Sequence, residues 1–254
     1  MAQLSIKYYS QALNRNIRFE MYIPNDKPRE DTQKMRTVFL LHGYTGDAGN
    51  WIPEDLMQKY NFAVIAPNGE NGFWLDGLST TRKYCTFVGA ELVDYVRRTF
   101  RLALSPEDTY IMGLSMGGFG ALHTAFAFPD NFGKVAAMSS ALIVHEIAGM
   151  KPGEDNGTAN YDYYHECFGD LDSVLESGSN PEVLVKRLHD SGKKIPEILM
   201  SCGTEDFLLE HNRQFHRFLA EEGISHTYLE SSGSHDMDFW NEYTRRFIDS
   251  MFAD

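Results

Sequence analysis

The chain has 254 residues, 43% of them hydrophobic and 23% charged, which is enough to bury a large core without disulfides or a metal. Its formal net charge of −13 repels phosphate backbones and so argues against nucleic acid as a partner. Because no apolar run has the length of a membrane span and no secretory signal precedes the first strand-like stretches, we expect a cytoplasmic protein without a membrane partner.

In chain order, short apolar runs alternate with helical patterns after two strand-like stretches in the first 24 residues. The runs are typical of buried strands and lie at residues 37–42, 62–67, 109–114, 134–140, 197–203 and 225–231. Helical patterns begin near Pro53 and after Ser115, and cover residues 89–100, 181–192, 205–223 and 235–252. This alternation predicts an α/β fold with a mostly parallel central sheet flanked by helices.

One polar, glycine-containing interval has no clear period and interrupts the alternation at residues 148–173. We interpret residues 143–180 as a short inserted cap or loop within a single domain that spans residues 1–254. Whether residues 161–172 fold over a site as a lid stays open at this point.

The stretch GLSMG places Ser115 between Gly113 and Gly117, where an apolar strand meets a helix rich in small residues. A turn this tight strains the residue at its apex and requires small neighbours two positions away on each side. The turn exposes the serine hydroxyl beside the positive end of the following helix. The pattern therefore indicates a nucleophile elbow with Ser115 as the nucleophile.

A serine nucleophile needs a general base and an orienting carboxylate, which follow it in the order acid, histidine in hydrolases with this elbow. Asp206 follows one predicted strand, and His235 lies in the loop after the last strand. We therefore predict Ser115, Asp206 and His235 as the catalytic residues, with Glu205 as the alternative acid. The other histidines lie in helical or solvated patterns, except that His42 is expected to shape a turn through a hydrogen bond.

Acyl transfer also needs donors for the oxyanion, normally one amide after the nucleophile and one from the loop after an earlier strand. The amides of Met116 and Tyr44 occupy those positions in the sequence. We predict them as the oxyanion hole. This mechanism requires no cofactor and no metal, and the scattered Cys85, Cys167 and Cys202 do not form a zinc-binding pattern.

Five stretches resemble the esterase D group of α/β-hydrolases, which includes tributyrin esterases, S-formylglutathione hydrolases and feruloyl and acetylxylan esterases. The stretches are LLHGYTGDAGNW, APNGENGFW, GLSMGGFGALHTAF, CGTEDF and GSHDMDFW, in family order. The resemblance implies an α/β-hydrolase fold, the same triad and oxyanion hole, and frequent homo-oligomers. It also implies that Trp74 lines the substrate site, and that the pocket differs where Met237 replaces a tryptophan common in similar members.

We therefore expect a serine carboxylesterase that hydrolyses short to medium acyl esters of small molecules through an acyl-enzyme on Ser115. One alternative is a carbohydrate-linked feruloyl or acetyl esterase, in which aromatic residues stack on the substrate. Candidates for such stacking are Trp51, Trp74, Tyr161, Tyr163 and Tyr164. The alternative of another class is an acyltransferase, which passes the same acyl group to an alcohol instead of water.

Overall fold

A single sheet organises the molecule, and a computed structural model describes it over residues 1–24 and 34–253. Within those residues the sheet has eight strands in the order β1-β2-β4-β3-β5-β6-β7-β8. The strands are β1 (Ala2–Ser10), β2 (Arg15–Ile23), β3 (Thr37–Leu41), β4 (Ala63–Pro67), β5 (Thr109–Leu114), β6 (Lys134–Met138), β7 (Glu197–Gly203) and β8 (Thr227–Ser231).

Only β2 runs against its neighbours: it pairs antiparallel with β1 and with β4, whereas β3 to β8 pair in parallel. The central strands β3, β4 and β5 are buried along their whole length, as near-continuous apolar runs require. Alternate residues of β3 point to opposite faces, so Phe39 and Leu41 join one core cluster and Val38 and Leu40 join the other. The mostly parallel sheet expected from the sequence is present.

Helices cover both faces of the sheet. The helices are α1 (Glu54–Tyr60), α2 (Tyr84–Thr86), α3 (Val93–Phe100), α4 (Met116–Ala127), α5 (Val144–Ile147), α6 (Tyr161–Phe168), α7 (Pro181–Asp190), α8 (Leu209–Glu221) and α9 (Met237–Phe252). A π-helical segment, Phe87–Leu92, joins α2 to α3, so the predicted helix at 89–100 begins earlier than its apolar pattern indicated. In the described parts of the chain no helix is long and apolar enough to cross a membrane.

The polar interval predicted as a cap or loop contains a helix that its pattern did not reveal. Helix α6 is only eight residues long, and its start is fixed by the Asn160 side chain, which accepts a hydrogen bond from the Tyr163 amide. Its buried residues Tyr164, Cys167 and Phe168 pack against the main core. A helix of two turns gives too few repeats for an apolar period to be visible in the sequence.

The strand order places β3 beside β5, and the chain leaves β3 towards β4 on one side but leaves β5 towards β6 on the other. In open α/β sheets the loops diverge at such a point and leave a crevice beyond the carboxyl ends of the strands. The loops after β3, β5, β7 and β8 all emerge at this edge. They carry Tyr44, Ser115, Asp206 and His235, respectively.

Candidate active site

Ser115 lies at the junction between β5 and α4 with φ 55° and ψ −122°, a strained conformation for a residue with a side chain. The neighbouring glycines are required by close backbone contacts. A Cβ atom on Gly113 would lie 2.0 Å from the carbonyl oxygen of Gly117, and one on Gly117 would lie 2.0 Å from that of Leu41. The elbow geometry predicted from GLSMG is therefore present.

The structure brings the three predicted catalytic side chains into one hydrogen-bonded chain. His235 Nε2 lies 3.0 Å from Ser115 Oγ, and His235 Nδ1 lies 2.9 Å from Asp206 Oδ2 and 3.1 Å from Oδ1. Nδ1 carries the proton in this arrangement, because it faces a carboxylate, which leaves Nε2 to accept the proton of the serine hydroxyl. The geometry is that of a nucleophile, a base and an orienting acid.

Asp206 is buried, and burial by itself raises the pKa of its carboxyl group. Hydrogen bonds from His235 and from the Leu208 amide, with a smaller contribution from the Ser139 hydroxyl, outweigh burial and hold the pKa of Asp206 below its ordinary value. The carboxylate therefore stays charged beside the imidazole at neutral pH. A charged, fully bonded carboxylate fixes the orientation of the His235 ring.

Glu205, the alternative acid, points elsewhere. Its carboxylate accepts hydrogen bonds from the Gly233 amide, the Thr204 hydroxyl and the Ser232 hydroxyl, and the Gly233 bond is the largest cause of its lowered pKa. It is solvent-exposed and holds the loop that carries His235. Adjacent turn residues thus face different partners, a distinction that depends on side-chain direction.

Two aromatic residues flank His235. Trp240 meets the imidazole edge to face, with ring centroids 4.8 Å apart and an interplanar angle of 85°, and its indole N–H donates to Ser139 Oγ over 3.0 Å. Phe207 lies 4.6 Å from the imidazole and is 74% exposed. The sequence reasoning missed Ser139, whose only signal was its place at the end of a strand.

The loop after β3 is shaped by His42, as expected. The Gly69 amide donates to His42 Nε2 over 3.0 Å, so Nε2 is unprotonated and Nδ1–H donates to the Gly43 carbonyl over 2.8 Å. Burial lowers the pKa of His42, in agreement with a neutral ring. Further along, the Thr45 amide donates to Asn71 Oδ1 over 2.8 Å. These bonds fix the backbone on both sides of Tyr44.

Trp74 does not line the pocket that opens over Ser115 and His235, contrary to the expectation that it lines the substrate site. Its side chain is fully buried, its indole N–H donates to the His42 carbonyl over 3.2 Å, and it packs against the α-carbon positions of Gly69 and Gly120. Trp74 therefore supports the loop after β3 from the protein interior. Met237 is 43% exposed at the start of α9 and is likewise absent from the pocket wall.

A pocket of about 360 Å³ opens over Ser115 and His235. Tyr44 and Met116, whose amides are predicted to form the oxyanion hole, line it. Of the aromatic stacking candidates, Tyr163 and Tyr164 line it, whereas Trp51 and Tyr161 do not. The remaining lining residues are Phe73, Ala141, Ile143, Glu146, Asn156, Thr158, Phe207, Leu208 and His211.

Comparison with known proteins identifies the family of this chain. The family described as "Putative esterase" matches residues 10–247. The chain belongs to this esterase family. It is 40% identical over 253 residues to an acetyl esterase of Caldicellulosiruptor saccharolyticus, a match that covers 96% of this chain and 95% of that protein.

Two solved structures from Staphylococcus aureus are similar over nearly their whole length. The fluorophosphonate-binding serine hydrolase F (FphF) has a TM-score of 0.86 at 26% identity and covers 100% of this chain and 99% of its own. An S-formylglutathione hydrolase (FrmB) has a TM-score of 0.84 at 25% identity and covers 99% and 98%. The resemblance, the α/β-hydrolase fold and the prediction of a serine carboxylesterase are thereby confirmed.

Proposed function

We propose that this esterase acts through Ser115 as nucleophile, His235 as general base and Asp206 as the residue that orients His235. The observation that carries the proposal is the hydrogen-bonded chain from Ser115 Oγ through His235 to Asp206 beneath a pocket. Each link has the length of an ordinary hydrogen bond.

In the first half-reaction, His235 Nε2 takes the proton of Ser115 as Oγ attacks the ester carbonyl carbon. The amides of Tyr44 and Met116 donate to the oxyanion, and His235 returns the proton to the departing alcohol. In the second, His235 deprotonates a water molecule that attacks the acyl-enzyme, and the acid leaves as Ser115 regains its proton. Asp206 stabilises the imidazolium formed in both halves.

We further propose that the acyl group is short. A pocket of about 360 Å³ lies near the lower end of the range for small-molecule sites, and the relative from Caldicellulosiruptor saccharolyticus is an acetyl esterase. A feruloyl substrate is the second candidate. The aromatic lining residues Tyr44, Phe73, Tyr163 and Phe207 favour it, since they offer ring faces to a phenolic acyl group.

The remaining expectations also stay proposals: a single domain with residues 143–180 as its cap, a homo-oligomer, and a cytoplasmic location. The last is supported by Cys85, Cys167 and Cys202, which are all buried and unpaired.

The test is hydrolysis of p-nitrophenyl acetate, butyrate and octanoate and of methyl ferulate by wild-type protein, Ser115→Ala and Ser225→Ala, an exposed serine control. We expect kcat to fall at least about 10³-fold in Ser115→Ala for every ester and to stay at the wild-type value in Ser225→Ala. Acetate and butyrate should exceed octanoate in kcat/KM. Unchanged turnover in Ser115→Ala would overturn the nucleophile assignment.

A further inference from the structure

A carboxylate, that of Glu146, lies among the residues that line the pocket. Glu146 accepts a hydrogen bond from Asn156 Nδ2 over 2.6 Å and lies 3.2 Å from His211 Nε2. All three side chains line the same pocket as Ser115 and His235. We call Glu146, Asn156 and His211 the acidic wall.

The residues of the acidic wall come from three different segments of the chain. Glu146 belongs to α5 and His211 to α8, while Asn156 lies in the turn between α5 and α6. Asn156 Oδ1 accepts from the amides of Thr158 and Ala159 over 3.1 Å each and from the Tyr164 hydroxyl over 3.3 Å. With Oδ1 occupied by these donors, the Asn156 amide nitrogen is directed at Glu146. The carboxylate therefore has a defined position.

The charges of the residues that line the pocket determine how the acidic wall affects a charged substrate. Besides tyrosine hydroxyls, the ionisable groups among the described lining residues are Glu146, His211 and His235, and neither Lys nor Arg is among them. When the imidazoles are neutral the pocket carries one full charge, which is negative, in a chain whose net charge is −13. A carboxylate on the substrate would meet repulsion and no cationic partner.

We infer that the acidic wall is a selectivity element: it admits uncharged esters, including those with hydroxyl groups, and rejects esters that carry a carboxylate near the reacting carbonyl. A hydroxyl can donate a hydrogen bond to Glu146, whereas a carboxylate can only accept. Two like charges several ångströms apart near a protein surface repel enough to change kcat/KM by about three- to tenfold. The inference rests on the proposed esterase function and names the class of ester it uses.

The experiment compares matched neutral and anionic esters at pH 8. One pair varies the acyl side, 4-nitrophenyl butyrate against mono-4-nitrophenyl glutarate. The other varies the alcohol side, methyl 3-acetoxybenzoate against 3-acetoxybenzoate. The readout is the ratio of kcat/KM for the neutral member to that for the anionic member, measured in wild type, Glu146→Gln and Glu210→Gln. The Glu210 control makes the same charge change at an exposed position that does not line the pocket.

We expect the ratio for at least one pair to fall about three- to tenfold in Glu146→Gln and to stay at the wild-type value in Glu210→Gln. The pair that responds identifies the side of the ester facing the wall. In wild type the same ratio should shrink as salt rises from about 20 to 500 mM, because salt screens exposed charges. Equal ratios in all three proteins for both pairs would overturn the inference. Failure of the neutral esters to react would instead refute the proposed function, so the two failures are distinguishable.

Discussion

The loops at the carboxyl edge of the sheet and residues 143–180, which we propose as an insertion and call the insertion below, both contribute residues to the pocket, but they are held differently. Ser115 is bound to the adjacent strand region by backbone alone: its amide donates to the Met138 carbonyl over 2.9 Å, and its carbonyl accepts from the Ala141 amide over 3.0 Å. In the insertion, Asn156 and Glu146 are held by side-chain hydrogen bonds between short helices and turns.

Because of this difference, we expect the loops at the sheet edge to determine the rate of ester cleavage and the insertion to determine which esters are preferred. Backbone pairing within a buried sheet tolerates many side-chain changes, so the position of Ser115 can persist while the insertion varies. Side-chain bonds at an exposed wall can be exchanged one residue at a time. We therefore expect substitutions at the sheet edge to lower kcat for every ester, and substitutions in the insertion to change the preference among esters.

The largest effect is expected at the sheet edge, where substitutions of Asp206 and of the adjacent Glu205 can be compared. Asp206→Asn should lower kcat about 10²- to 10⁴-fold, because the amide cannot hold the imidazole in the same tautomer or stabilise its charge. Glu205→Gln, whose side chain holds the His235 loop from outside, should lower kcat by no more than about fivefold. Steady-state kinetics on one acetate ester measures both. A greater loss in Glu205→Gln would reverse the assignment of the acid.

The next largest effect is expected at Ser139. Ser139→Ala removes the hydroxyl that accepts a hydrogen bond from the Trp240 indole and helps to lower the pKa of Asp206. It should lower kcat about tenfold and the free energy of unfolding by about 1–3 kcal/mol, because the buried indole N–H loses its acceptor. Ser140→Ala is the matched control, because the Ser140 hydroxyl is buried without a hydrogen-bond partner in the described structure. Urea titration and kinetics of both variants should show the loss only at Ser139. Equal losses at the two positions would indicate nonspecific packing.

A smaller effect is expected at the exposed pocket rim. Phe207 contributes ring area beside His235 yet is 74% exposed, so Phe207→Ala should raise KM for aromatic esters a few-fold with little change in Tm. Leu78→Ala, at an exposed apolar position that does not line the pocket, serves as control. The ratio of KM for methyl ferulate to KM for p-nitrophenyl acetate is the measurement. If that ratio stays unchanged, Phe207 has no part in selecting aromatic groups.

The smallest effect on turnover is expected where the two regions join. His123 of α4 lies with its Nε2 2.8 Å from the Gly178 carbonyl at the end of the insertion, and burial lowers the pKa of His123 from 6.5 to about 4. The unfolded chain therefore binds this proton between pH 6.5 and 4 while the folded chain does not. Its contribution to stability is unchanged above pH 6.5, falls by about 2–3 kcal/mol as the pH drops to 4, and is constant below.

Urea unfolding of wild type and His123→Gln at pH 4.5 and 7.5 measures that contribution, and the drop in stability should be smaller in the variant. The kcat at pH 7.5 should change by less than about twofold. Equal drops in the two proteins would show that His123 does not titrate in this way.

The sequence predicted the sheet edge better than the insertion for a physical reason. The tight turn at Ser115 requires glycine at positions 113 and 117, because a side chain there would clash with backbone atoms. Such requirements leave a short local motif in the sequence. Asp206 and His235 could be found because strand ends recur in a fixed chain order, although choosing Asp206 over Glu205 depends on side-chain direction.

Glu146, Asn156 and His211 leave no such motif, since they lie on α5, on the turn between α5 and α6, and on α8, and meet only in the folded structure. The prediction for Trp74 fails in a different way. Trp74 belongs to one of the family motifs, so the resemblance places it at the substrate site, but in the structure its side chain is fully buried.

The central claim is that the chemistry of this esterase resides in Ser115, activated by His235 at the edge of the sheet. Incubation with a fluorophosphonate, followed by peptide mass spectrometry, measures this directly because the reagent bonds to an activated serine oxygen. We predict one adduct per chain, on Ser115, and a labelling rate at least about 100-fold lower in His235→Gln. An adduct on another serine, or an unchanged labelling rate in His235→Gln, would contradict the account.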